Sequence, residues 1–122
     1  IGTIIPEYAL AIHVLENAIK SGVQDYRFSP VQSTELPGIT FEITVLSPPH
    51  PVASYEEIQV EHHGIILNKN GHKSLFLPQV ATEQGWDLET TLAHLSQKAG
   101  LSSTDWKENT SFSVFEGLEF SE

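Results

Sequence analysis

The groups in this chain with the most chemical potential are six histidines, a single arginine and two tryptophans, set in a sequence with no cysteine. Glu61-His62-His63, with His72 downstream, is the densest set of metal-ligand types. Its spacing does not suit an ion. Neighbours on a strand point to opposite faces, and neither a zinc-protease nor a zinc-finger pattern is present, so no metal site is expected. His63 stands out for another reason. The following Gly64 has no side chain and lets a backbone or ligand approach closely.

Arg27 is the only arginine, between Asp25 and Phe28-Ser29-Pro30, in a loop expected to be held by a buried aromatic and a proline. Its planar fork of donors suits two-point binding of a carboxylate or phosphate. The competing reading is an internal pair with Asp25 or Glu42 that fixes the loop. Trp86-Asp87 is ambiguous in the same way, since a core anchor and a helix cap account for both residues. Glu42 with His63 has the composition of an acid/base pair, but no spacing brings them together. There is no Gly-x-Ser-x-Gly and no glycine-rich phosphate loop, so neither a nucleophile nor a cofactor is indicated, and the catalytic candidates reduce to His63 and Arg27.

These groups must be positioned by one ordinary domain, because 122 residues with 39% hydrophobic content fill a single core. Apolar positions Ala11, Ile12, Leu15, Ala18 and Ile19 share one helical face, so a helix is expected over Glu7 to Ser21, inward along that stripe and stopped by Gly22. Asp25 to Gly38 reads as a loop with one short turn of helix. From Ile39 to Val45 the residues alternate as in a strand with one wet face, ended by Pro48-Pro49-His50-Pro51. Ser54 and Glu57 have capping-box spacing. Asn70-Gly71 predicts a two-residue type I′ hairpin with Lys69 opposite His72 and Ile65 opposite Phe76. Gln79 to Gln84 forms a helical turn closed by Gly85. Asp87 caps a second long helix to Ala99, with Gly100 beyond its end. Ser111 to Phe120 alternates as a closing strand. The class is α+β, a largely antiparallel sheet flanked by two main helices.

Sixteen acidic residues against six scattered bases give a formal charge of −10. Nucleic acid and anionic membrane surfaces are therefore disfavoured partners, because both are bound through clustered cations. No apolar run approaches the ~20 residues of a membrane span, and no signal-peptide pattern is present, so a cytoplasmic, soluble protein is expected. The chain contains no methionine, and the opening Ile1-Gly2-Thr3-Ile4-Ile5 looks like the middle of a strand. Residues upstream are expected, and the zero cysteine count says little about redox compartment.

Taken in order, Ile1-Gly2-Thr3, Asp25-x-Arg27-Phe28-x-Pro30-Val31, Glu35-Leu36-Pro37, His63-Gly64-Ile65, Leu77-Pro78-Gln79-Val80-Ala81 and Gln84-Gly85-Trp86-Asp87 resemble the AMMECR domain family, which in bacteria and archaea is protein A of the AmmeMemoRadiSam system. Trp106-Lys107 through Val114-Phe115-Glu116 is similar to the family's bacterial branch, so the resemblance spans the chain. It implies a single AMMECR-type domain over 1–122, incomplete at its N-terminus, because Ile1-Gly2 look like the end of the family's Leu-Arg-Gly-Cys-Ile-Gly segment. By the same resemblance, the absent part includes a reactive-looking cysteine and a small subdomain of a helix and strands. The family's biochemical activity is unassigned, and its association with Memo-like (extradiol-dioxygenase-like) and radical SAM proteins implies those as partners. Two readings follow. One is a binding or docking module with a cleft lined by Arg27, Phe28, His63, Gln79 and Trp86. The other is an enzyme whose nucleophile or redox group is the upstream cysteine, with Arg27 holding an anion and His63 as base.

Overall fold

The computed structural model describes residues 1–122, which divide into two compact units, one of residues 1–44 and 119–122, the other of residues 45–118. In chain order the regular elements are α1 (Leu10–Val23), β1 (Glu42–Leu46), β2 (His50–Val52), β3 (Gly64–Lys69), β4 (His72–Phe76), α2 (Val80–Gln84), α3 (Leu88–Lys98), β5 (Ser111–Phe115) and β6 (Gly117–Ser121). Three 3₁₀ turns, Ser33–Gly38, Tyr55–Glu57 and Asp105–Lys107, punctuate them. The class is α+β with antiparallel sheets, as the alternation and helical periods predict.

The larger unit is built on a four-stranded sheet in the order β2-β5-β3-β4. Its most local piece is the β3–β4 hairpin, where Asn70 and Gly71 take φ of 51° and 81°, the left-handed values a type I′ turn requires. The register is the expected one, Lys69 opposite His72 and Ile65 opposite Phe76. Helix α3 begins at its Asp87 cap, whose carboxylate accepts from Thr90 N–H at 2.8 Å, and buries Leu92 and Leu95. Three side-chain bonds tie the helix to β4: Ser74 Oγ donates to Leu95 O (2.6 Å), Lys98 Nζ to Leu75 O (2.8 Å) and His72 Nδ1 to Ala99 O (3.0 Å). Between helix and sheet lies the core, with Ile58, Ile65, Leu67, Trp106, Phe112 and Val114 packed on those two leucines.

Two parts of this unit depart from the sequence reading. His50–Val52, expected as a proline-rich stop, is the strand β2. It pairs only with β5 and forms the sheet edge, where a proline without an N–H costs no ladder bond. The expected closing strand over Ser111 to Phe120 is two strands, divided at Glu116. Its first half joins the four-stranded sheet, and its second half pairs with β1.

β1 and β6 make a two-stranded sheet, antiparallel because Ser47 N–H bonds Glu116 O while Glu122 N–H bonds Phe41 O. The expected single wet face is not seen: Ile43, Thr44, Val45 and Leu46 are all half-buried, while Phe41 is exposed.

In the smaller unit, α1 starts three residues later than the spacing predicts, because His13 turns back and its Nε2 accepts from Glu7 and Tyr8 N–H, both at 3.1 Å. Gly22 does not stop it. The helix runs through to Val23, and Gln24 closes it by bonding Lys20 O. The larger reversal is rotational. Ile12, Leu15 and Ile19, expected to face inward, are exposed, and so is Val23, whereas His13, Val14, Asn17 and Ala18 are half-buried.

Candidate functional site

In the smaller unit, Arg27 is held by its own loop. Nε and Nη2 donate to the two carboxylate oxygens of Asp25 at 2.9 and 2.6 Å, and the Arg27 backbone N–H adds a third bond to that carboxylate at 3.1 Å. The two-point pair with Asp25, one of the alternatives weighed from sequence, is therefore what forms. Asp25 is nearly covered while Arg27 keeps 58% of its side chain in solvent, and Nη1 makes no bond. Phe28 does not anchor the loop from inside. It is 67% exposed, and the guanidinium carbon stands 5.6 Å from its ring centroid. The result is an open arginine–aromatic face on a pre-ordered loop.

This pairing sets the titration of Asp25. The Arg27 side chain lowers its pKa from 3.8 to about 2, with burial opposing and the Arg27 backbone N–H and charge assisting. Arg27 is raised in turn. Because the folded value lies below the unfolded one, the pair's contribution is complete above pH ~4 and is lost as pH falls toward ~2. Carboxyl-detected NMR is expected to give a midpoint near 2 for Asp25, returning toward the ordinary range in Arg27→Gln. An unshifted midpoint in the parent protein would show that the pair is not populated in solution.

In the larger unit, His63 lies in a turn rather than on a strand, since β3 begins only at Gly64. Its Nδ1 accepts from Gln59 N–H at 3.0 Å, and its own N–H bonds Gln59 O. With the Nδ1 lone pair occupied, the neutral ring carries its proton on Nε2 and can donate but not accept there. What approaches Gly64 closely is the ring of Phe115, its partner in the β3–β5 ladder. Gln79 precedes α2 and makes no capping bond with its side chain, and Gly85, at φ 69°, closes that helix. Trp86 is half-buried. It stacks on His94 with ring centroids 4.0 Å apart and planes within 9°, and its centroid lies 6.0 Å from that of Phe76 with the two rings tilted at 49°.

His94 is the group that sequence reasoning missed. Its Nδ1–H donates to Thr90 O at 2.9 Å, which leaves the Nε2 lone pair of an exposed, fixed imidazole open. It sits seven residues past the Asp87 cap, two helical turns along one face, and that spacing relative to Trp86-Asp87 was the available signal.

No group of three or more His, Asp or Glu side chains is arranged to hold a metal ion. Asp25, Arg27 and Phe28 thus belong to one unit, and His63, Gln79, Trp86 and His94 to the other.

A sequence model of the AMMECR1 family matches residues 1–120, nearly the whole chain. The chain belongs to the AMMECR1 family. Among similar AMMECR1-family proteins, one from Nanoarchaeum equitans is 38% identical over 124 residues, covering 96% of this chain and 69% of its own length. One from Thermococcus gammatolerans is 40% identical over 111 residues, covering 87% and 54%. A crystal structure of an uncharacterised Pyrococcus horikoshii protein has the same fold, with a TM-score of 0.88 and 36% identity over 97% of this chain and 61% of that one. The AMMECR1 chain described here thus spans from about half to about two thirds of the length of these relatives. No helix in it is long and apolar enough to cross a membrane.

Proposed function

We propose that this AMMECR1-family chain is a non-catalytic module that binds a small molecule or docks on a Memo-like or radical SAM partner. One observation carries the reading: the two side chains best suited to catalysis are each satisfied by neighbours of their own loop, Arg27 by Asp25 and His63 by Gln59. A general base needs a free lone pair, and a held arginine is a positioned recognition group more than a reacting one. The exposed surfaces that remain are recognition surfaces, the Arg27–Phe28 face in one unit and the Trp86–His94 stack in the other.

The test is made with the intact protein and purified Memo-like and radical SAM proteins. Pull-down is expected to recover a partner. His63→Gln is expected to leave output of a reconstituted pathway within about twofold, since a side chain outside the reacting atoms supplies no transition-state energy. A loss of 100-fold or more by this variant, with fold and partner binding retained, would replace the module with an enzyme.

The alternative is the enzyme reading. It holds that a cysteine just upstream of Ile1 is the nucleophile or redox group, with Arg27 holding an anion. Replacing the cysteine expected just upstream by serine in the intact protein decides it, with unchanged pathway output removing this alternative.

A further inference from the structure

The tip of the β3–β4 hairpin carries chemistry that its turn geometry does not use. Asn70 is one of four asparagines, with Asn17, Asn68 and Asn109, and it alone is followed by glycine. The side-chain amide of an asparagine can be attacked by the backbone nitrogen of the next residue, closing a cyclic imide. The main obstacle is the side chain of that next residue, and Gly71 has none. Beyond the adjoining residues, no atom lies within 4 Å of where a Cβ would stand at Gly71, and both turn residues are exposed.

The other three asparagines are held back by their surroundings. Asn17 lies inside α1, where its Nδ2 donates to Thr3 Oγ1 at 3.0 Å. Asn68 is laddered on both sides of β3, opposite Lys73 and Ser111. Asn109 is exposed, but it precedes the β-branched Thr110, whose hydroxyl is tied to Asp105 O and Glu108 O at 3.2 and 3.0 Å. Charge favours Asn70 as well. Lys69 and Lys73 flank the turn in a chain of formal charge −10. Nearby positive charge stabilises the anionic nitrogen that must form before attack and the oxyanion that follows it.

We propose that Asn70 is a site of spontaneous deamidation, converted through a cyclic imide with Gly71 into aspartate and isoaspartate. The Gly71 nitrogen gives its proton to water and bonds to Cγ of Asn70. The Cγ–Nδ2 bond breaks, and the amide nitrogen takes a proton from water and leaves as ammonia. Water then opens the imide. Opening at one carbonyl yields aspartate with the main chain unchanged, and opening at the other yields isoaspartate, with the main chain rerouted through the side chain and longer by a methylene. Nothing is oxidised or reduced.

The site lies where a longer main chain matters. A two-residue turn fixes the hairpin register, and the residues on either side of it hold other elements. Lys69 Nζ donates to Asp105 O at 2.7 Å, and His72 Nδ1 to Ala99 O at 3.0 Å. A methylene inserted between them displaces both anchors, so isoaspartate at position 70 unfastens the hairpin tip from the Asp105–Lys107 turn and from the end of α3.

Purified protein kept in mildly alkaline buffer at physiological temperature, sampled over weeks and mapped by peptide mass spectrometry, tests this. Asn70 is expected to gain about 1 Da and to convert about tenfold or more faster than Asn17, Asn68 or Asn109. The gain is expected to vanish in Asn70→Gly, whose Gly-Gly turn still accepts the type I′ geometry. Protein that labels with an isoaspartyl methyltransferase is expected to melt about 5 °C lower. An unchanged melting temperature overturns the loss of the two anchors. Similar rates at all four asparagines overturn the proposed site. So does a mass gain at Asn70 that appears only in urea, because the folded turn would then hold the amide away from the Gly71 nitrogen.

Discussion

Gly64→Ala is expected to destabilise the protein by about 3 kcal/mol, which for a unit of this size lowers the melting temperature by roughly 10–20 °C. The reason is a ring and not a backbone angle. A Cβ at position 64 would stand 2.3 Å from both Cε2 and Cζ of Phe115 and 2.8 Å from its Cδ2. The glycine and the phenylalanine face one another in the β3–β5 ladder, and Phe115 is only 1% exposed, so the ring has no solvent to swing into. Relief requires moving a packed aromatic or separating two central strands, and interiors packed to crystal-like density resist both. Phe115→Ala removes the obstacle at its own cavity cost of about 3–5 kcal/mol. The double variant is therefore expected to lose less than the two single losses added, by 1–3 kcal/mol. Urea unfolding followed by circular dichroism measures all three. A Gly64→Ala protein as stable as the parent would mean that the ring does not lie over the glycine in solution.

Where local chemistry governs, the sequence is a reliable guide to this fold. The Asn70-Gly71 turn, the Ser54–Glu57 capping box and the Asp87 cap are set by residues within a few positions of one another, and each forms as its spacing dictates. What composition and period do not contain is the identity of the surface an element packs on. The stripe of Ile12, Leu15 and Ile19 specifies a helix with one dry side, but only a neighbour can decide which way that side points. Pro51 fails in the other direction. A proline forbids a central strand and not an edge, and edge status is a property of the assembled sheet. The candidate site divides along the same line. Arg27 with Asp25 is a contact over two residues and was open to reasoning. The occupied Nδ1 of His63 and the free Nε2 of His94 depend on how each ring is turned, and two histidines in the same sequence alphabet thereby receive opposite capacities.

The other large effect is expected at Trp106, a residue outside every candidate site. Trp106→Ala should cost about 4 kcal/mol, the range found for emptying a large aromatic from a core. The indole is 3% exposed, belongs to the cluster that includes Leu92, Leu95 and Phe112, and forms a T-shaped pair with Tyr55, the centroids 5.0 Å apart and the rings at 89°. It sits in the Asp105–Lys107 turn, which Lys69 of β3 also holds by donating from Nζ to Asp105 O at 2.7 Å, and its indole packs that turn into the core between the sheet and α3. Trp106→Phe keeps much of the volume and an aromatic partner for Tyr55 and is expected to lose less than half as much. A double-mutant cycle of Trp106→Leu with Tyr55→Leu should return about 0.5–1.5 kcal/mol for the edge-to-face pair itself. The unfolding is best followed by circular dichroism, because the only tryptophan left, Trp86, reports its own stack on His94. Trp86→Ala provides the contrast. That indole is half-buried on an exposed imidazole, so its removal should cost clearly less stability while altering whatever binds at the stack. If the two tryptophans proved equally costly, Trp86 would have to be counted with the core, and the recognition surface assigned to it would be withdrawn.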